Sequence, residues 1–181
     1  MQKISIMLVI LSLLASNTWE VDFGGGQGIQ SWYPVLDGVM GGLSKGKLTF
    51  EEDRMVFKGE VSLENNGGFA SIKSPFGAMD LSKFKQVELR YKLTGHDFAF
   101  TFERDRRFYM PNYKLILPNE SPGDWQTVTL DLSNANTYRM GRQTGNKPSQ
   151  AEWASIIRIG FMSYGKSAGP YLLEVDYVKF L

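Results

Sequence analysis

The sequence predicts an all-β domain of the sandwich or barrel kind, with one or two short helices. Three observations carry this. Beyond residue 45, apolar and polar residues alternate with period two in segment after segment, as they do in strands with one face in a core. Turn-forming clusters separate those segments. Helix signals are confined to short stretches.

The elements follow in chain order. Met1-Gln2-Lys3 is a short basic start, Ile4–Leu14 is apolar except for Ser5 and Ser12, and Ala15-Ser16-Asn17 is small or polar. That order predicts a secretory signal peptide over residues 1–15 and an exported protein, periplasmic or secreted. Leu13 stands where a small residue usually precedes a cut after Ala15, so an uncleaved N-terminal anchor is the alternative. The apolar run is shorter than the ~20 residues that span a bilayer, and no cysteine is present to carry a lipid. No membrane span is expected in the mature chain. Residues 19–181 suit one domain with a real core.

Two glycine turns come next, Asp37-Gly38-Val39-Met40-Gly41-Gly42-Leu43-Ser44 and Asn65-Asn66-Gly67-Gly68-Phe69-Ala70-Ser71. Each sets Asp, Asn or Ser beside glycines, suiting backbone with φ > 0 and side chains that bond to nearby backbone. The segment between them reads as strand. Val87, Leu89, Tyr91 and Leu93 alternate with polar neighbours, and so do Phe98, Phe100 and Phe102. His96, beside Gly95 and Asp97, is expected to be exposed at a hairpin tip. Trp125, Val128, Leu130 and Leu132 mark another strand, and Ile157, Ile159 and Phe161 a further one. Leu173, Val175, Tyr177 and Lys179 are expected to share one face of the last. Ser149-x-x-Glu152 is a capping box for one or two helical turns. Asp80–Phe84 suits a short turn. Residues 134–150 form the longest stretch without a pattern and are expected to be irregular.

Composition excludes several function classes. Without cysteine there is no thiol catalysis, and one histidine builds no His/Cys zinc site. Removing residues 1–15 takes away only Lys3 and leaves 19 basic against 19 acidic residues. Nucleic-acid binders usually carry a basic stripe, so none is expected as a partner. Gly41 to Lys47 approaches a phosphate-binding loop, but Leu48 replaces its Ser/Thr and a strand follows where a helix is needed. Asp37, Glu64, Glu103, Asp105 and Asp124 are candidate carboxylates for glycoside hydrolysis. The knot Glu103-Arg104-Asp105-Arg106-Arg107, followed by Phe108 and Tyr109, puts guanidinium groups beside aromatic rings. That combination suits a sugar, a carboxylate or a protein hot spot.

Trp32, the two glycine motifs and Phe57–Glu64 together resemble the complex I intermediate-associated protein 30 family. Weaker echoes are Trp125–Val128, Arg139–Arg142, Ile159–Phe161 and Leu173–Val178. The resemblance implies a galactose-binding-like jelly-roll β-sandwich and a chaperone-like or assembly-factor role without catalysis. The apolar leader, unlike an Arg-rich transit peptide, suggests an exported, bacterial-type member. The expected function is a non-catalytic binding module for a protein partner. A carbohydrate-binding module and a carboxylate-dependent glycoside hydrolase are the alternatives. The expected binding residues are Asp37, Asn66, Arg104, Tyr109, Trp125 and Arg142, with no metal or cofactor.

Overall fold

The computed structural model describes residues 18–25 and 31–181. The signal-peptide expectation lies outside them. Two antiparallel sheets face each other across an aromatic core. The six-stranded sheet contains β1 (Trp19–Asp22), β3 (Lys45–Glu51), β4 (Arg54–Val61), β6 (Gln86–Gly95), β9 (Trp125–Asp131) and β13 (Gly169–Phe180). Its order is β3-β4-β13-β6-β9, and β1 also pairs with β13. The seven-stranded sheet contains β2 (Tyr33–Leu36), β5 (Ala70–Lys73), β7 (Asp97–Glu103), β8 (Asn112–Ile116), β10 (Asn136–Arg139), β11 (Arg142–Gln143) and β12 (Arg158–Tyr164). Its order is β11-β10-β8-β7-β12-β5-β2. The architecture is a jelly-roll-type β-sandwich.

Alternation places the core. Phe98, Phe100 and Phe102 of β7 are fully buried and meet the opposite layer ring to ring. Phe98 packs on Tyr171 at 5.5 Å and Phe100 on Phe180 at 6.3 Å. Such pairs add to the burial term, so aromatic packing does here what disulfides do in many small exported domains.

Three expectations are corrected. The period of β13 does not run straight through. A bulge between Val175 and Tyr177 inserts one residue, so Leu173 and Val175 face the core before it and Val178 and Phe180 after it. An extra residue reverses the faces of everything downstream. His96 is not exposed; it is buried beside Ser167, whose Oγ lies 3.4 Å from Nδ1. Residues 134–150 are not irregular throughout, because β10 and β11 form a hairpin at the sheet edge. Its two-residue turn, Met140-Gly141, has φ of 49° and 76°, as a tight type I′ hairpin needs.

The capping box forms as expected. Ser149 accepts from the Glu152 N–H, and Glu152 accepts from the Ser149 N–H at 2.8 Å, at the start of α1 (Gln150–Trp153). Asp80 closes the expected short turn by accepting from the Ser82 N–H. No helix among the described residues is long and apolar enough to cross a membrane.

Candidate binding face of the seven-stranded sheet

The two glycine turns meet at one carboxylate. Asp37, 1% exposed, accepts from the Ser44 N–H at 3.0 Å, the Ser44 hydroxyl at 2.5 Å, the Gly68 N–H at 2.7 Å and the Phe69 N–H at 3.2 Å. Ser44 Oγ in turn accepts from the Ser62 N–H. Burial alone would raise the Asp37 pKa, but the bonds from Ser44, Gly68 and Phe69 outweigh it and hold the carboxyl below its ordinary value. The glycines leave room for this: a Cβ at Gly42 or Gly67 would collide with the Asp37 side chain. The knot is a structural clamp with an exposed rim. Val39, Met40, Leu43 and Leu63 are all exposed around it.

The remaining sequence-predicted residues lie apart. Asn66 is exposed beside the knot, with φ of 60°. Arg104, just past β7, is paired with Glu152 at 3.1 Å. Tyr109 is exposed in the following loop, its ring against Phe108. Arg142 is exposed on the edge strand β11. Trp125 lies on the outer face of the other sheet, opposite Lys92 in register. There the Arg90 guanidinium sits 4.8 Å from its ring and Lys92 Nζ 5.6 Å. The six do not converge on one surface.

A different surface gathers polar chemistry. It is the outer face of the seven-stranded sheet, made by the residues that alternate with the core phenylalanines. Tyr33, Lys73, Gly160, Thr101, Lys114 and Asn136 stand opposite one another in register across six strands. Arg158, Glu103, Asn112, Tyr138 and Gln143 form the adjoining row. At ~4.8 Å between strands, the first row spans about 24 Å.

This face is concave. The Tyr138 and Tyr164 hydroxyls lie 3.3 Å apart although β7 and β8 separate their strands. Residues of an outer sheet face are also buried here, including Ala99, Thr101, Lys114, Tyr138 and Arg158. Gly160 keeps the floor low, since a Cβ there would strike the Ile72 carbonyl. Burial and the Tyr164 contact push the Tyr138 hydroxyl pKa up to about 12, so it stays a neutral hydrogen-bonding group.

One ion network crosses the floor. Glu103 accepts from Lys73 Nζ at 2.7 Å through one oxygen. Its other oxygen accepts from Arg158 Nε at 2.9 Å and from Nη2. Arg158 Nη1 donates to the Tyr33 hydroxyl at 2.7 Å, and the guanidinium lies 4.1 Å from the Phe76 ring. Of the carboxylates considered for hydrolysis, only Glu103 belongs to this face. Asp37 is held in the knot, Asp105 is paired with Arg107, and Glu64 and Asp124 are exposed in turns. Among the described residues, no group of three or more acidic or histidine side chains is placed to hold a metal.

The family model of complex I intermediate-associated protein 30 matches residues 21–175. The chain belongs to the complex I intermediate-associated protein 30 family. Among solved structures, this family member is similar to the family 11 carbohydrate-binding module of the cellulosomal cellulase Lic26A-Cel5E of Clostridium thermocellum. The TM-score is 0.63 at 14% identity, covering 92% of this chain and 96% of that one. A structure of that module in complex with a β-1,3-1,4-mixed-linked tetrasaccharide matches equally well. The agarase AgWH50C is similar at a TM-score of 0.56 and 13% identity, with 90% of this chain covering 24% of the enzyme. At such identities the likeness is one of fold.

The sequence did not reveal this face because Ala99, Thr101, Arg158, Gly160 and Met162 read only as the alternating partners of core residues, and Glu103 as a candidate carboxylate with no neighbours assigned to it. The available signal was their composition. An outward row holding Ala and Gly beside Lys, Arg and Glu is unusual for a face in open water.

Proposed function

We propose that the domain is a non-catalytic binding module that takes a glycan chain along the concave face of the seven-stranded sheet. The observation that carries this is the face itself. It offers Tyr33 and the half-buried Tyr164 as aromatic surfaces, with Tyr138 buried against Tyr164, and it holds its polar side chains in fixed positions through the Glu103 network. Sugars present apolar ring faces and many hydroxyls, and a preorganised floor of this kind binds them at low ordering cost. The family 11 module, described with a bound tetrasaccharide, lends support by fold. Glu103 sits against two cations, a setting that keeps a carboxylate occupied rather than free for a glycosidic bond.

A second reading has its own observation. Val39, Met40, Leu43 and Leu63 expose apolar side chains on the rigid knot, which suits the assembly-factor type of contact with a protein. The composition of residues 1–17 supports export to the periplasm or beyond.

A glycan array followed by calorimetric titration tests the primary reading. Saturable binding to a glycan, weakened about tenfold by Tyr33→Ala at unchanged melting temperature, is expected. Absence of any glycan binding, with a native partner whose capture is lost in Met40→Glu, would replace it with the protein-binding reading. Release of sugars that stops in Glu103→Gln would replace it with hydrolysis.

A further inference from the structure

The charges on the concave face do not balance. Lys73, Arg158 and Lys114 line its centre, and Glu103 is the carboxylate among them. Asp97 lies at the far end of β7, exposed and opposite Tyr164. Glu103 is engaged by Lys73 and Arg158. Lys114, 8% exposed, has no carboxylate partner among the described residues. Its Nζ meets Met162 Sδ at 3.3 Å and the Tyr138 ring at 4.9 Å. Neither supplies a full negative charge.

A buried cation without a counter-charge is costly. Burial, and then the nearby Lys73, both push the Lys114 pKa down. A methionine or leucine would fill the same space without that cost. Beside it, Asn112 Oδ1 is buried with no hydrogen-bond partner. It stands next to Tyr138 in the adjoining row, an acceptor that stays unsatisfied unless a hydroxyl reaches it. An ammonium without a counter-charge and an unsatisfied amide oxygen on one concave floor are complementary to a ligand that brings a negative charge and hydroxyls together.

We propose that this face selects acidic glycans, with Lys114 receiving the carboxylate of a uronic acid residue. The proposal rests on the glycan-binding reading and deepens it. The carboxylate supplies the counter-charge that Lys114 lacks, through a charge-assisted hydrogen bond of the stronger kind. Lys73 and Arg158 remain with Glu103 and shape the adjoining positions. A neutral glycan offers hydroxyls to Asn112 but leaves the ammonium uncompensated.

Titration calorimetry on the mature chain tests this with oligogalacturonate, oligoalginate and hyaluronan fragments. The neutral probes are methyl-esterified oligogalacturonate and mixed-linked β-glucan oligomers. At least one acidic oligomer should bind. For oligogalacturonate, esterification should weaken binding about tenfold or more. Lys114→Met should cost a similar factor toward the acidic ligand while leaving the fold as stable or more so. NMR of the Lys114 ammonium should show its pKa rising when the acidic ligand binds. Binding of neutral oligomers as tight as that of acidic ones, unaffected by Lys114→Met, overturns acid selection and leaves glycan binding standing. Failure of every oligomer to bind overturns both. Preference for dextran sulfate, which carries sulfates and no carboxylate, over all the carboxylated probes overturns the uronate assignment.

Discussion

The Gly68 N–H donates to Asp37 Oδ2 at 2.7 Å across 31 residues of sequence. This bond fastens the second glycine turn to the first, and Phe69 and Ser44 donate to the same carboxylate. Asp37→Asn puts an NH2 group where only acceptors fit. It should cost about 1.5–3 kcal/mol near neutral pH, as loss of hydrogen bonds to a buried charge does. The pH dependence has a definite sign. The folded pKa lies below the ordinary 3.8, so the carboxylate contributes stability above that value and loses it as pH falls through the folded pKa. Urea unfolding of both proteins should therefore show their difference shrinking below about pH 4. A difference that stays constant to pH 2 would contradict the assignment. Gly42→Ala should destabilise at every pH, because its methyl group collides with the carboxylate.

Neighbouring positions on β7 should respond very differently to truncation. Phe100 is fully buried between Phe102, Phe161 and Phe180. Phe100→Ala should cost about 3–5 kcal/mol. Thr101 faces the concave side, and Thr101→Ala should cost under about 1 kcal/mol, typical of a position away from the core. Chemical denaturation of the two variants measures this. Equal losses would mean that the faces of β7 are reversed.

The same strand shows how much was legible in the sequence. Alternation assigned the Phe98, Phe100 and Phe102 face without help from tertiary structure. It failed at Asp176, because a bulge leaves no compositional mark and the strand stays apolar on both sides of it. His96 misled because a Gly-His-Asp turn reads as solvent-exposed, while its burial comes from the distant Ser167 loop. The glycine motifs were visible as a pair, and the carboxylate that joins them was a named candidate. The concave face was not visible as a site. Its row Tyr33–Lys73–Gly160–Thr101–Lys114 joins strands far apart in sequence, and only long-range pairing makes them neighbours.

Trp125 separates a stacking residue from a binding one. It lies under Arg90 and Lys92, which are themselves paired with Asp176 and Glu174. Trp125→Ala removes two cation–π contacts at a half-buried site and should cost about 1–2 kcal/mol. Glycan affinity should not change, because the residue sits on the sheet opposite the concave face. Thermal melting and calorimetric titration of one sample measure both. A loss of affinity at unchanged stability would relocate the binding site to the six-stranded sheet.

Glu103 offers the sharpest contrast between binding and catalysis. It is the shared counter-charge of Lys73 and Arg158 on the concave floor. Glu103→Gln leaves both cations uncompensated beside Lys114. Breaking a fully buried pair from one side costs about 3–5 kcal/mol. Glu103 and Lys73 keep partial contact with solvent, so the loss here should be on the order of 2–3 kcal/mol. Binding should move the opposite way. With the carboxylate gone, the face carries more positive charge, and an acidic glycan should bind more tightly to the fraction that remains folded. A nucleophile or general acid would behave otherwise, because its removal ends turnover and gives no reason for tighter binding of a charged ligand. Titration with oligogalacturonate well below the melting temperature of the variant reads the sign directly. Weaker binding in Glu103→Gln would mean that this carboxylate contacts the ligand itself.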